Sequence, residues 1–251
     1  MRGLSTLQKL NQHNGATVTD IARAVGLART TAYRVLETLC EAEYAVRDPS
    51  DDRYRLTIKV RSLSDGYDDD AWVKDLAKPL LTKLGREVIW PLAISTLHGT
   101  TMMVRETTDK DSPLALDRYS PGIQVHMLGS ASGRVHLAFC GEELRNTLLD
   151  ILASSDDPED RPARNKELVS RLLNKVRDDG YALSDNPRFA EISVAVPLLV
   201  RGAVLGGIVM RFIRSAMTTD RAVERYVPFL QTTAQEISEA YENQGYAEKE
   251  H

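Results

Sequence analysis

Val18-Thr19-Asp20-Ile21-Ala22-Arg23-Ala24-Val25-Gly26-Leu27, then Ala28-Arg29-Thr30-Thr31-Ala32-Tyr33-Arg34-Val35-Leu36-Glu37-Thr38-Leu39, then Ala45-Val46-Arg47-Asp48-Pro49-Ser50-Asp51-Asp52-Arg53-Tyr54-Arg55-Leu56-Thr57 is the stretch that decides how the chain is read. Ile21, Ala22 and Val25 fall on one face of a helix, and Gly26 stands where the chain must turn sharply before Leu27. The next helix turns Val35, Leu36 and Leu39 inward and crowds Arg29, Thr30, Thr31, Tyr33 and Arg34 onto the other side of its first turns. The period then switches from helical to alternating, with Val46, Tyr54 and Leu56 around a turn at residues 49–52 rich in Pro, Ser and Asp. Helix, turn, helix and basic hairpin in this order predict a winged helix-turn-helix. The second helix would enter a major groove by its N-terminal residues, while Arg47, Arg53 and Arg55 of the wing would reach phosphates. The DNA-contacting candidates are Arg2, Arg29, Thr30, Thr31, Tyr33, Arg34 and Arg53.

Charge is consistent with this once it is divided along the chain. The whole carries a formal net charge of −4, which on its face opposes nucleic-acid binding. Residues 1–61 hold 10 Lys and Arg against 7 Asp and Glu, or +3, which leaves 22 against 29, or −7, for the rest. An excess of +3 is modest, so tight binding calls for two such modules on paired half-sites and hence a homodimer or larger homo-oligomer. The 251 residues suit two domains, each able to bury a core. The two cysteines, Cys40 and Cys140, fall in different expected domains and make no disulfide framework. With no basic-then-apolar leader and no apolar run long enough to span a bilayer, a cytoplasmic protein without membrane association is expected.

Beyond the wing, residues 59–67 read as a short helix-like linker that ends at the acidic break 68–70. Trp72, Val73, Leu76, Leu80 and Leu84 follow at near-helical spacing, with Pro79 bending or restarting the helix. Strand patterning takes over at residues 88–96 and 101–107, and helices are expected near 134–139, 142–152 and 166–178, with a polar loop at 154–164. Residues 192–200 and 203–212 form a second hairpin turned at Arg201-Gly202, with Gly206-Gly207 inside its second strand, where a ligand or another backbone can come close. Val223, Tyr226, Val227, Leu230, Ala234, Ile237 and Tyr241 repeat at three and four along a terminal helix. The expected fold class is therefore α+β: residues 1–58 form the winged helix-turn-helix, 59–70 a linker helix, and 71–251 an antiparallel sheet flanked by helices, with room for a pocket.

The same residues carry a resemblance. Arg-Thr-Thr-Ala-Tyr-Arg-Val-Leu-Glu-Thr-Leu at 29–39, Asp-Pro-Ser-Asp-Asp-Arg-Tyr-Arg-Leu-Thr-Ile-Lys-Val-Arg-Ser-Leu-Ser at 48–64, Arg-Glu-Val-Ile-Trp-Pro at 86–91, Met-Val-Arg-Glu-Thr-Thr at 103–108, Leu-Ala-Phe-Cys at 137–140 and Ser-Ala-Met-Thr at 215–218 resemble the IclR-type bacterial transcriptional regulators. Within that family they are similar to the branch that activates 3-(3-hydroxyphenyl)propionate catabolism. The resemblance implies a dimerising winged helix-turn-helix, a linker helix, and a C-terminal GAF-like domain that binds a small effector and assists tetramer assembly. It places the effector loop on Ser130, Ala131, Ser132 and Gly133, whose backbone amides would meet a carboxylate. Further wall positions fall on Ser184 or Asp185, on Ser193, and on Val209 and Arg211. Two departures stand out: Val125-His126 where relatives carry Leu-Pro, and Ala131 in place of a loop glycine.

Residue chemistry adds two pocket candidates of its own. Arg105, in a strand, either forks onto a ligand carboxylate or pairs with a neighbouring acid, and Trp90 either stacks a ring or fills the core. Met102 and Met103 suit a pliable apolar wall or ordinary core. His98, His126 and His136 lack metal-ligand spacing, and no phosphate loop or nucleophile elbow is present, so no metal, cofactor or enzymatic activity is expected. The effector-binding candidates are Trp90, Arg105, Ala131, Ser132, Gly133, Asp185, Ser193 and Arg211. The functional expectation is a regulator that binds double-stranded operator DNA and answers to a small carboxylate, aromatic acids included. The alternative is a sensor whose helical module binds protein instead of DNA.

Overall fold

The computed structural model describes residues 2–64, 71–116, 118–186 and 190–244. The chain divides into two compact units, Met1–Asp69 and Asp70–His251. The first contains α1 (Arg2–Gln12), α2 (Val18–Val25), α3 (Arg29–Glu41) and the antiparallel pair β1 (Ala45–Arg47) and β2 (Tyr54–Leu56). Leu10, Ile21, Ala32, Leu36 and Tyr54 are almost wholly buried at its centre, so the three helices and the hairpin share one small core. Gly26 closes α2 with φ 64° and ψ 32°, the left-handed cap that glycine adopts without strain. The expected linker helix proves to be a tighter 3-10 turn at Ile58–Ser64 belonging to this unit, and residues 65–70 lie outside the described residues.

The second unit begins with a π-helical turn, Val73–Ala77, running straight into α4 (Lys78–Val88), and Pro79 follows directly on the π turn, where the regular hydrogen-bond ladder is already interrupted. A six-stranded antiparallel sheet follows, in spatial order β5-β4-β3-β8-β7-β6. Its strands are β3 (Leu92–His98), β4 (Thr101–Thr107), β5 (Gln124–His126), β6 (Ala182–Ser184), β7 (Glu191–Val200) and β8 (Ala203–Ile213). The β7–β8 turn at Arg201-Gly202 has φ values of 49° and 80°, the doubly positive pair that matches strand twist. The Gly206-Gly207 pair answers to backbone: a Cβ at Gly206 would stand 2.5 Å from the Ser95 carbonyl oxygen of β3.

Two cores lie on the sheet's two faces. Ile192, Val194, Val196, Ile208, Met210 and Phe212 point one way, against α4 and α8 (Thr219–Asn243). Ala195 and Val209 point the other way, toward α5 (Ala131–Phe139), α6 (Glu142–Ser154) and α7 (Lys166–Asp179). Residues 154–164, expected as a loop, include a 3-10 turn at Pro158–Arg164 whose Ala163 is buried in this second core.

His136 of α5 is 3% exposed, and neither ring nitrogen meets a hydrogen-bond partner among the described residues. Burial pushes its pKa down to about 4. In the unfolded chain the imidazole titrates near 6.5, so between these values the unfolded state binds a proton that the folded state refuses, and stability falls as pH is lowered through that window. At pH 5 the loss relative to pH 7.5 is roughly 2 kcal/mol. His136→Leu should remove that part of the acid sensitivity in urea melts at the two pH values, and an unchanged pH dependence would exclude His136 as its source.

Candidate DNA-binding face and effector cavity

Local chemistry fixes how α3 is presented. Thr17 caps α2 by accepting from the Asp20 amide at 3.3 Å, and the Asp20 carboxylate accepts from the Thr17 amide at 3.2 Å, which sets the entry angle of the pair. The cap residue of α3, Ala28, offers no side-chain acceptor, and the first turn carries no acid. Arg29, Thr30, Tyr33 and Arg34 lie on its outer side and are exposed, while Thr31 is half-buried. Neither Arg29 nor Arg34 has an ion-pair partner among the described residues, so an exposed, uncapped helix N-terminus carries two available cations.

The wing is different. Arg47 donates to Asp52 from Nε at 2.6 Å, and Arg55 bonds Asp48 at 2.8 Å and Asp51 at 2.6 Å. Arg53 donates to the Gly15 carbonyl at 2.7 Å and lies 3.8 Å from Asp51. Arg47 also lies over the Tyr33 and Tyr54 rings, 5.8 Å from each centroid. Three arginines and three aspartates thus cancel across residues 47–55. Arg2 is exposed at the start of α1.

In the second unit a cavity of about 360 Å³ opens beside the β7–β8 pair. Ser193 and Arg211 are cross-strand partners and both line it. Arg211 is 6% exposed, and its guanidinium is held by Asp109, which is fully buried, and by Glu191 at 2.6 Å. The guanidinium carbon lies 4.0 Å from the centre of the Tyr119 ring, which forms another wall. Asp109 is held in turn by the Tyr119 amide at 2.6 Å and by the Thr107 hydroxyl. Opposite, Ser130 caps α5 by accepting from the Gly133 amide at 3.1 Å, and Ser184 donates to the Gly129 carbonyl at 2.6 Å. Val125 and His126 complete that side, with His126 Nδ1 lying 3.9 Å from Asp160.

Two family profiles divide the chain between them: the IclR helix-turn-helix domain matches residues 1–49, and the bacterial transcriptional regulator IclR C-terminal domain matches residues 67–239. The chain belongs to the IclR family. Its members are transcriptional regulators, so this IclR chain is a DNA-binding regulator and not an enzyme. XynR of Escherichia coli is 28% identical over 200 residues, covering 78% of both chains, and KdgR of the same species is 25% identical over 236 residues, covering 92% of this chain and 88% of its own. Both are HTH-type transcriptional regulators. Among solved structures, the IclR of Thermotoga maritima is similar with a TM-score of 0.63 at 20% identity, covering 95% of this chain and 96% of its own. An IclR homolog from Microbacterium hydrocarbonoxydans, in complex with 4-hydroxybenzoate, has a TM-score of 0.60 at 20% identity over 94% and 96%. These two share the fold.

Within the IclR fold the expected effector residues scatter. Ser193 and Arg211 line the cavity. Ala131, Ser132 and Gly133 are buried in the first turn of α5 behind Gly129 and Ser130, and the Gly133 amide is spent on the Ser130 cap. Trp90 packs edge-on against Phe212, 6.4 Å between ring centres, in the core under α4 and α8. Arg105 donates to the Thr96 hydroxyl at 3.3 Å and does not line the cavity. Asp185 pairs with Arg214 outside the lining. Sequence reasoning missed Asp109, Tyr119 and Glu191; the one available signal was an acid placed just after the strand ending at Thr107. No helix among the described residues is long and apolar enough to cross a bilayer.

Proposed function

We propose that this chain is a ligand-responsive cytoplasmic regulator in which residues 1–58 read operator DNA, residues 59–70 connect, and residues 71–251 bind a small effector in the cavity beside Arg211. The observation that carries the reading is the outer side of the first two turns of α3, with two exposed cations that no described neighbour neutralises. Arg29, Thr30, Thr31, Tyr33 and Arg34 meet base edges and the nearest phosphates, and Arg2 adds a backbone contact. Arg53 and the rest of the wing position the module without contributing net charge, so a homodimer on paired half-sites, or a tetramer built from two such dimers, is needed for tight binding. The Arg34→Ala variant should bind a labelled fragment from the DNA flanking its gene about tenfold more weakly, and its affinity should fall less steeply with salt, by about one unit of log–log slope. Equal affinity and slope for the two proteins would remove Arg34 from the interface.

The cavity lies in the size range of small-ligand sites, about 300–1,000 Å³. Its ligand is an aromatic or other small carboxylic acid whose catabolic genes the protein controls, aromatic acids of the 3-(3-hydroxyphenyl)propionate type among them. Arg211 comes with both of its carboxylate partners in place, so it serves as the fixed wall on which Tyr119 is laid, and the ligand's polar groups meet Ser193, Gln124 and His126. Ligand and operator affinity are then reciprocally coupled. A thermal-shift screen of hydroxybenzoates, phenylpropionates and aliphatic acids should find a ligand that stabilises by mass action and also changes operator affinity. A stabilising ligand that leaves operator affinity untouched would break the link between cavity and control.

A further inference from the structure

A second cavity, of about 490 Å³, lies between α6 and α7, at the end of α5 opposite Ser130. Its floor is apolar, with Ala163, Val169 and Leu173 buried and Leu149 half-buried. Arg145 and Arg177 stand over that floor, both half-buried, and neither has a carboxylate partner among the described residues. Both turn one side of the guanidinium toward the C-terminal end of α5. Arg145 Nε donates to the Leu137 carbonyl at 2.7 Å and Nη2 to the Cys140 carbonyl, while Arg177 Nε donates to the Ala138 carbonyl at 2.7 Å. Arg177 Nη1 is oriented by Asn174 at 2.6 Å. That leaves Nη1 of Arg145 and Nη2 of Arg177 without a hydrogen-bond partner among the described residues.

Capping a helix end accounts for the bonded sides of these two groups. It does not account for the rest. Two cations lining one cavity repel each other, and burial together with the Arg145 charge holds Arg177 below the ordinary arginine range. Around the rim, Lys166 is 3.5 Å from Asp150, and Glu142 is exposed. Counting the lining, the three cations Arg145, Lys166 and Arg177 face the two carboxylates Glu142 and Asp150, a balance of +1. We infer that this cavity is a second small-molecule site, taking a monocarboxylate on an apolar body, with the carboxylate between Arg145 and Arg177 and the body on Leu149, Val169 and Leu173. A carboxylate between them accepts from the remaining Nη of each guanidinium and supplies the missing counter-charge, and the apolar floor selects against a bare inorganic anion.

The test places a fluorescent reporter at the rim, Asn146→Trp in the full-length chain, and titrates it with benzoate, benzyl alcohol and inorganic phosphate. Benzoate should change the emission of the introduced indole saturably, and benzyl alcohol and phosphate should each need about tenfold higher concentration or more, since a hydrogen-bonded charge pair carries most of the selectivity. Adding Arg177→Gln should weaken benzoate about tenfold, whereas Arg177→Lys, which keeps the charge, should stay within about threefold. Calorimetric titration of the chain without the reporter, with and without Arg177→Gln, checks that the added indole has not created the site. Unchanged reporter emission together with a calorimetric heat that is absent or the same with and without Arg177→Gln, equal binding of benzyl alcohol, or equal binding of phosphate would each overturn the assignment, the last two by showing a plain crevice or a bare anion site. Benzoate binding that survives Arg177→Gln unchanged would do the same.

Discussion

Arg211→Met should cost the C-terminal unit about 3–5 kcal/mol, because it strands a fully buried carboxylate without its cation. The side chain is nearly isosteric along its stem, so the loss is electrostatic more than volumetric. Asp109 would keep the Tyr119 amide and the Thr107 hydroxyl, and Glu191 would keep the Leu116 amide at 3.3 Å, yet neither would retain its guanidinium. The Tyr119 ring would also lose the cation it rests on. Urea unfolding followed by near-ultraviolet circular dichroism measures the cost. The double variant Arg211→Met with Asp109→Asn should recover part of it, since removing both charges is less harmful than removing one. A single variant within about 1 kcal/mol of the parent would mean that the pair is solvated and not structural.

Gly133→Ala should be comparably severe, at about 3 kcal/mol or more, since overpacking against backbone leaves no flexible neighbour to give way. A Cβ there would stand 2.1 Å from the Met127 carbonyl oxygen and 2.5 Å from its Cα. Met127 is itself fully buried, so the clash is relieved only by moving α5 off the segment that carries Gly129 and Ser130. Gly141→Ala is the control: nothing lies within 4 Å of the added carbon, so it should lose no more than the about 1 kcal/mol of a weaker helix cap. If Gly133→Ala melted like Gly141→Ala, the close approach of helix and backbone would not be holding α5 in place.

Gly133 shows how far the sequence could be read. Its need for a small residue was legible, but the reason assigned to it, an amide cradle for a carboxylate, gives way to the approach of the Met127 backbone. The DNA-binding module was more transparent, because its elements are local and a change of period from helix to hairpin is written directly in the order of residues. The wing arginines were visible, yet their pairing with Asp48, Asp51 and Asp52 depended on the rotamers of a tight turn. The cavity was the least legible part. Asp109 and Arg211 lie 102 residues apart, and pattern reading carries no information about which distant charges a sheet will bring together. Trp90 and Arg105 were chosen for their chemistry alone, and the folded sheet then sent Trp90 to the core and set Arg105 against Thr96.

Helix α5 is nine residues long, about 13 Å, too short to flex within one continuous hydrogen-bond ladder. Its first turn abuts the cavity of Arg211 through Ser130, and its last carbonyls are gripped by Arg145 and Arg177. If both cavities take ligands, a strut anchored this way would tie the two ends together: a shift of the arginines would be felt at the serine. With both cavities filled, the occupants would report on each other through one rigid element, and the regulator would compute a joint response to two metabolites where a single pocket could only count one.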